Sequence, residues 1–399
     1  MTWFKPLVLA GRELLPVVQG GMGVGVSAHR LAGAVASENA VGTIASVDLR
    51  HHHPDLLEQT EKCKDRELIN QVNRVALDRE IKAAQTQAKG RGMIAVNVMK
   101  AVRDHVELVR QACESGADAI VMGAGLPTDL PEMTEDYPKV NLIPILSEVR
   151  GVGIVLKRWM KKGRNAAAMV IEHPGFAAGH LGAAKIEELR NDRFDFARVL
   201  QGCHDLFREL GLGRDAPRLI VAGGIDSHDK VKHWLNNGAD AVQLGTAFAV
   251  TEESDAHVNF KKVLIGAEQG DLREFVSVAG LPARAVGTPW LNRYLRSEST
   301  LQANAKSDPR RCSQRMDCLT HCGLRDGIEK IGQFCIDLKL AAALRGEVDR
   351  GLFFRGAGKL PFGDQIRSVR ELIDYLLTGN RPTQEQKISF FEKPVAALA

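Results

Sequence analysis

Within the turn Phe176-Ala-Ala-Gly-His180-Leu-Gly182, one titratable ring stands beside the small residues Ala177, Ala178, Gly179 and Gly182. Backbone this thin lets a flat ligand lie against it, and an imidazole at its edge can donate a hydrogen bond or move a proton near neutral pH. In an arbitrary turn such a histidine is usually satisfied by backbone; its place after the apolar run that ends at His173 favours chemistry. Two further pairs, Gly223-Gly224 and Gly245-Thr246, follow later apolar runs. Glycine amides can approach an anion closely and the Thr246 hydroxyl can donate, so these pairs predict a phosphate-bearing ligand. Asn97 and Gln243 are polar groups on otherwise apolar runs, fit either to meet the amide-like edge of a ring or to satisfy local backbone.

Two other patterns invite chemistry. Gly23-Val-Gly25-Val-Ser27-Ala28, with Asp48 about twenty residues on, matches a dinucleotide fingerprint. The four cysteines Cys312-x5-Cys318-x3-Cys322-x12-Cys335 have a spacing that an iron–sulfur cluster can use, while the repeated short spacing of a zinc site is absent. The bland alternative is buried apolar cysteines. Arg50–Pro54 reads RHHHP, but adjacent side chains diverge, which favours a surface loop over a metal site.

These residues need a frame. Eight short apolar runs recur: Pro16–Gly21, Val41–Ser46, Met93–Met99, Ala119–Gly125, Asn141–Ser147, Ala166–His173, Arg218–Gly224 and Ala241–Ala247. Continuous apolar runs predict strands buried on both faces, hence a parallel sheet. Amphipathic segments lie between them, including HVELVRQACESG from His105 and a helix capped by Ser227. GADA recurs at 116–119 and 238–241, before the fourth and eighth runs, the half-barrel offset of a (β/α)8 TIM barrel. That fold is α/β, and it favours the barrel over the doubly wound sheet that the dinucleotide fingerprint would need. The expected organisation is a barrel over 1–250, a small helical lobe over its mouth at 251–304, and a C-terminal extension at 305–399. The extension holds the cysteine cluster, helices near Ile336–Arg345 and Ser368–Leu377, and the glycine-bearing FFRGAGK.

Composition excludes several classes. The 399 residues are 44% hydrophobic, 26% charged and 5% aromatic, ordinary for a globular enzyme. The net charge of +4 comes from 53 basic and 49 acidic residues without a basic stripe, so nucleic acid is not an expected partner. No stretch reaches membrane-spanning length and the start is too short in apolar residues for a signal peptide, so a cytoplasmic protein away from the membrane is expected.

PVVQGGMG, VNVM, AGHLG, VAGGI and QLGTAF, in this order, resemble the nitronate monooxygenase (2-nitropropane dioxygenase) family. That family also contains FMN-dependent enoyl-acyl-carrier-protein reductases and NADH:quinone reductases. The likeness covers about Pro16–Gly287. It implies FMN at the C-terminal face of the barrel, its phosphate on Gly223, Gly224, Gly245 and Thr246. By the same likeness Gly21, Met22, Asn97, Gly179 and Gln243 line the isoalloxazine and ribityl chain, and His180 is catalytic. The implied reaction takes an alkyl nitronate and O2 to a carbonyl compound and nitrite. The alternative within the family is NAD(P)H-dependent reduction of enoyl thioesters or quinones, which an iron–sulfur cluster on Cys312, Cys318, Cys322 and Cys335 would favour. A non-flavin phosphate-binding isomerase or aldolase is the third reading. A small-molecule substrate is the expected partner, and a homodimer is compatible with all three. The chain departs from the family turn E-A-G-G-H at Phe176 and Ala178, adding an aromatic ring and a methyl near the flavin. His173 stands where members often have Gln or Glu.

Overall fold

The computed structural model describes residues 4–63, 65–307, 312 and 318–382. Parts of the expected extension, 308–311, 313–317 and 383–399, lie outside the described residues. Eight parallel strands close into a barrel: β1 (Val17–Gln19), β2 (Val41–Ala45), β3 (Met93–Met99), β4 (Ala119–Gly123), β5 (Asn141–Leu146), β6 (Ala168–Glu172), β7 (Arg218–Ala222) and β8 (Ala241–Leu244). Each falls inside one of the eight apolar runs. The ring closes where β8 pairs with β1, Val242 opposite Val17. The dinucleotide fingerprint is thereby overturned, since a closed barrel replaces the doubly wound sheet and Asp48 is buried in an ion pair with Arg50.

The strands are apolar throughout because they are covered on both sides. Val18, Val41, Ala95, Val121, Val170 and Ile220 point into the barrel, whose floor is plugged by an N-terminal hairpin, Leu7–Leu9 with Arg12–Leu14. Helices cover the outer faces; Trp159 and Phe248 are fully buried there. The two GADA segments do the same work. Asp118 Oδ2 accepts the Ile94 amide at 2.9 Å and Asp240 Oδ2 accepts the Leu219 amide at 2.8 Å, so each aspartate pins the start of the preceding strand. The glycines before them, Gly116 and Gly238, have φ of +86° and +101°, where a side chain would be strained.

Past the barrel, the expected helical lobe holds helices Val258–Gly266 and Pro289–Ala303, and also a hairpin, Leu272–Val276 with Pro282–Val286. The second of these strands departs from the helical lobe expected there. It forms because it pairs on its other edge with Gly179–His180, a contact distant in sequence. The extension supplies helices Ile336–Leu344 and Val369–Thr378, as expected, the latter opened by a reciprocal Ser368–Glu371 capping box.

The histidine run is not a plain surface loop. Arg50 is 3% exposed and donates to Asp48 and Thr60. His51 lies 3.2 Å from Asp48, His52 Nε2 lies 2.8 Å from the Gly25 carbonyl, and His53 joins His29 on Glu80. Burying Asp48 and Glu80 without these partners would leave unpaired charges, which is why the rings of His51 and His53 turn inward; His52 turns in to the Gly25 carbonyl. Burial opposes ionisation of Glu80, but hydrogen bonds from His29 and His53 outweigh it and hold the carboxyl at about 2.

Candidate active site

A cavity of about 640 Å³ opens at the C-terminal ends of the barrel strands, inside the usual range for a small-molecule site. Among its lining residues are seven of the ten expected at the flavin site, Gly21, Met22, Asn97, Gly179, His180, Gly245 and Thr246, together with Cys318 of the cysteine cluster. Three expected residues stand outside that lining. Gly224 lies under the Phe176 ring, since a Cβ there would be 2.9 Å from the ring. Gly223 backs onto the strand-six loop, where a Cβ would be 3.1 Å from the His173 carbonyl. Gln243 is buried with its amide packed against Gly20, where a Cβ would be 3.3 Å away. Phe176 is therefore the aromatic departure that covers part of the expected anion loop.

His180 is positioned by pairing. Gly179–His180 forms a two-residue strand beside Ala283 and Arg284, and the Leu181 amide donates to the Pro282 carbonyl at 2.8 Å. Its Nε2 lies 2.9 Å from Ser277 Oγ, and its ring packs at 5.9 Å from that of Phe354. Burial pushes the imidazole down to about 4, so it is neutral at pH 7, and either neutral tautomer satisfies the serine contact.

Glu172, the last residue of β6, lines the same cavity. Burial raises its carboxyl to about 7 against the opposing charge of Arg284. Arg284, 1% exposed, donates to Glu274 at 2.7 Å and to the Pro174 and Ala177 carbonyls, so the hairpin grips the loop that presents His180. From the extension, Asp337 reaches the wall and is pushed up to about 8, by burial first and then by Asp48. Sequence reasoning missed these groups. Glu172 carried a signal, an acid at a strand end directly before the turn; Ser277 and Asp337 carried none, because only the fold brings them to the cavity.

The residues fit a flat cofactor with a phosphate tail. Gly21 is so close to Asn97 that a Cβ would lie 2.4 Å from the asparagine Cβ, so only glycine leaves this wall thin. The Ser46 hydroxyl, in the lining, is buried with no protein partner among the described residues and is left to meet a ligand.

The cysteine cluster finds no support. Among the described residues no three His, Cys, Asp or Glu side chains stand together so as to hold a metal. Cys322 and Cys335 are buried in an apolar cluster with Phe275, Leu291 and Phe334. Burial, then Asp337, Cys322 and Cys335, pushes the Cys318 thiol up to about 12. All four cysteines lie in or against this one apolar cluster as free thiols, an environment in which cysteine packs as a small apolar group.

Comparison with known proteins identifies the family. The family model described as nitronate monooxygenase matches residues 12–379. A Bacillus subtilis (strain 168) protein described as "Probable nitronate monooxygenase" is 28% identical over 290 residues, 69% of this chain and 77% of that protein. Among solved structures, FabK from Thermotoga maritima superposes with a TM-score of 0.63 at 20% identity, covering 91% of each chain. A nitroalkane oxidase from Streptomyces ansochromogenes superposes with a TM-score of 0.58 at 18% identity, covering 91% of this chain and 96% of that one. At these identities the two structures speak for the fold alone. Among the described residues no helix is long and apolar enough to cross a membrane.

Proposed function

This chain belongs to the nitronate monooxygenase family, a flavin-dependent oxidoreductase family, and on that premise we propose that it binds FMN and oxidises alkyl nitronates with O2 to a carbonyl compound and nitrite. The observation that carries this reading is the gathering of His180, Asn97, Gly21, Met22, Gly245 and Thr246 around one cavity. When bound, FMN supplies the electron acceptor between the nitronate and O2. Gly21, Met22, Asn97 and Gly179 form the wall against the ring, while Gly245 and Thr246 face the phosphate end. Gly223, Gly224 and Gln243 act from behind that wall. His180, held neutral, donates a hydrogen bond to a nitronate oxygen. A group held at about 4 removes an α-proton poorly at pH 7, so the already ionised nitronate is favoured over the neutral nitroalkane. The apolar lining, with Leu146, Ile336, Leu340 and Leu352, keeps water from the reacting atoms.

The acids favour a second reading. Glu172 and Asp337, both raised by burial, give the cavity proton donors of the kind that reduction of an enoyl thioester or quinone by NAD(P)H consumes. Oxygen uptake and nitrite release with propyl-2-nitronate test the first reading. His180→Asn should keep its flavin and lose most of that turnover; undiminished turnover would remove His180 from the chemistry.

A further inference from the structure

The glycine-bearing segment Arg355–Lys359 has no part in the site described above, yet it crosses the rim of three barrel loops. The Gly356 amide donates to Thr246 Oγ1 at 3.1 Å, after β8. The Ala357 amide donates to the Phe176 carbonyl at 3.0 Å, after β6. The Lys359 amide donates to Asp226 Oδ2 at 3.0 Å, after β7. Three amides within four residues thus tie the loop after β6 to the loops after β7 and β8, which carry the expected phosphate residues.

The segment is held close and needs its glycines. A Cβ on Gly356 would sit 2.9 Å from the Phe176 carbonyl, and one on Gly358 would sit 3.2 Å from Asp226 Oδ2. Arg355 is the anchor and not a ligand: it is 5% exposed and donates to the Leu264 and Gly356 carbonyls. Just before it, Phe354 packs on the ring of His180 and beside Gly179.

What the segment offers outward is suited to an anion. Because Thr246 Oγ1 accepts the Gly356 amide, its own proton remains to be donated to a ligand. Among the described residues the Gly358 amide donates to no protein group. The Lys359 side chain is exposed and forms no ion pair there, while the Asp226 carboxylate is already matched by Lys230 at 2.8 Å. We propose that Arg355–Lys359 is a strap that completes the phosphate end of the cofactor site, orienting Thr246 and adding the Lys359 ammonium as counter-charge to a phosphomonoester. This rests on the FMN reading. It also explains why Gly224 can lie under Phe176: the strap replaces donors that the covered loop does not present.

FMN and riboflavin, which differ by the phosphate alone, separate the strap from the ring wall. Flavin-free full-length protein is titrated with each flavin by fluorescence quenching, for the wild type, Lys359→Ala and Gly356→Ala, with thermal melting as the check on folding. The wild type should prefer FMN. Lys359→Ala, an exposed change, should melt as the wild type does and weaken FMN about fivefold while leaving riboflavin unchanged, as for one lost charge-assisted contact. Gly356→Ala should narrow the preference further. A preference for FMN unchanged in both variants would overturn the strap. A wild type that binds neither flavin would overturn the cofactor reading itself, a separate result.

Discussion

His180 Nε2 stands 2.9 Å from the hydroxyl of Ser277, a residue 97 positions later in the chain. The hairpin that carries Ser277 also pairs with Gly179–His180, so the ring is oriented by a lobe outside the barrel. Ser277→Ala should keep the fold and lower kcat about tenfold, the scale of one lost hydrogen bond that positions a reacting group. Steady-state kinetics with the flavin content measured alongside checks this; unchanged kcat would mean that strand pairing alone orients His180.

The same histidine sets an acid-side limit on stability. Its folded value of about 4 lies below the unfolded 6.5, so the unfolded chain binds more protons between the two. Stability should therefore fall as pH drops from about 6.5 towards 4, and this slope should flatten in His180→Asn. Urea unfolding at several pH values reads the difference.

Glu172 has the opposite sign. Its folded value of about 7 lies above the ordinary 4.5, so it costs stability as pH rises between them. Glu172→Gln should be more stable than the wild type at pH 8 and equal to it at pH 4. If the carboxyl also moves a proton, the group near pH 7 in the kcat/KM profile should vanish in the variant.

Arg284 is buried, with Glu274 and two loop carbonyls as partners. Arg284→Met leaves the Pro174 and Ala177 carbonyls without their donor and Glu274 with the exposed Arg190 alone, and should cost about 3 kcal/mol. Denaturant midpoints give the loss. The added variant Glu274→Gln should recover little of it, because Arg190 still pairs with that carboxylate at 2.8 Å.

Gly21→Ala tests the thin wall. Its Cβ would press on Asn97, and the shift should cost about 1–3 kcal/mol while the protein still folds. Flavin retained after gel filtration should fall well below that of the wild type.

Much of the frame was legible because a barrel strand buried on both faces writes its environment into a continuous apolar run; Met93–Met99 and Ala168–Glu172 are of this kind. The GADA repeat was legible for a similar local reason, one aspartate pinning one neighbouring strand. Pro282–Val286 was not, because it becomes a strand only through partners at 179–180 and 272–276. His53 looked like a surface residue because its partner Glu80 lies far along the chain, and His51 because nothing in the sequence shows that Asp48, three residues before it, is buried. Of the seven lining residues, His180, Gly245 and Thr246 could be read from strand ends and Gly21, Met22, Asn97 and Gly179 through the family resemblance; Ser277, Asp337 and the strap of 355–359 depend on long-range packing.

The most direct test of nitronate oxidation is an anaerobic absorption spectrum of the purified protein before and after addition of propyl-2-nitronate, with NADH and NADPH added to separate samples. A flavin spectrum that bleaches with the nitronate and recovers on admitting air, with nitrite released, is the expected result. A colourless protein that cannot be reconstituted with FMN, or a flavin that bleaches with a nicotinamide and ignores the nitronate, would contradict it.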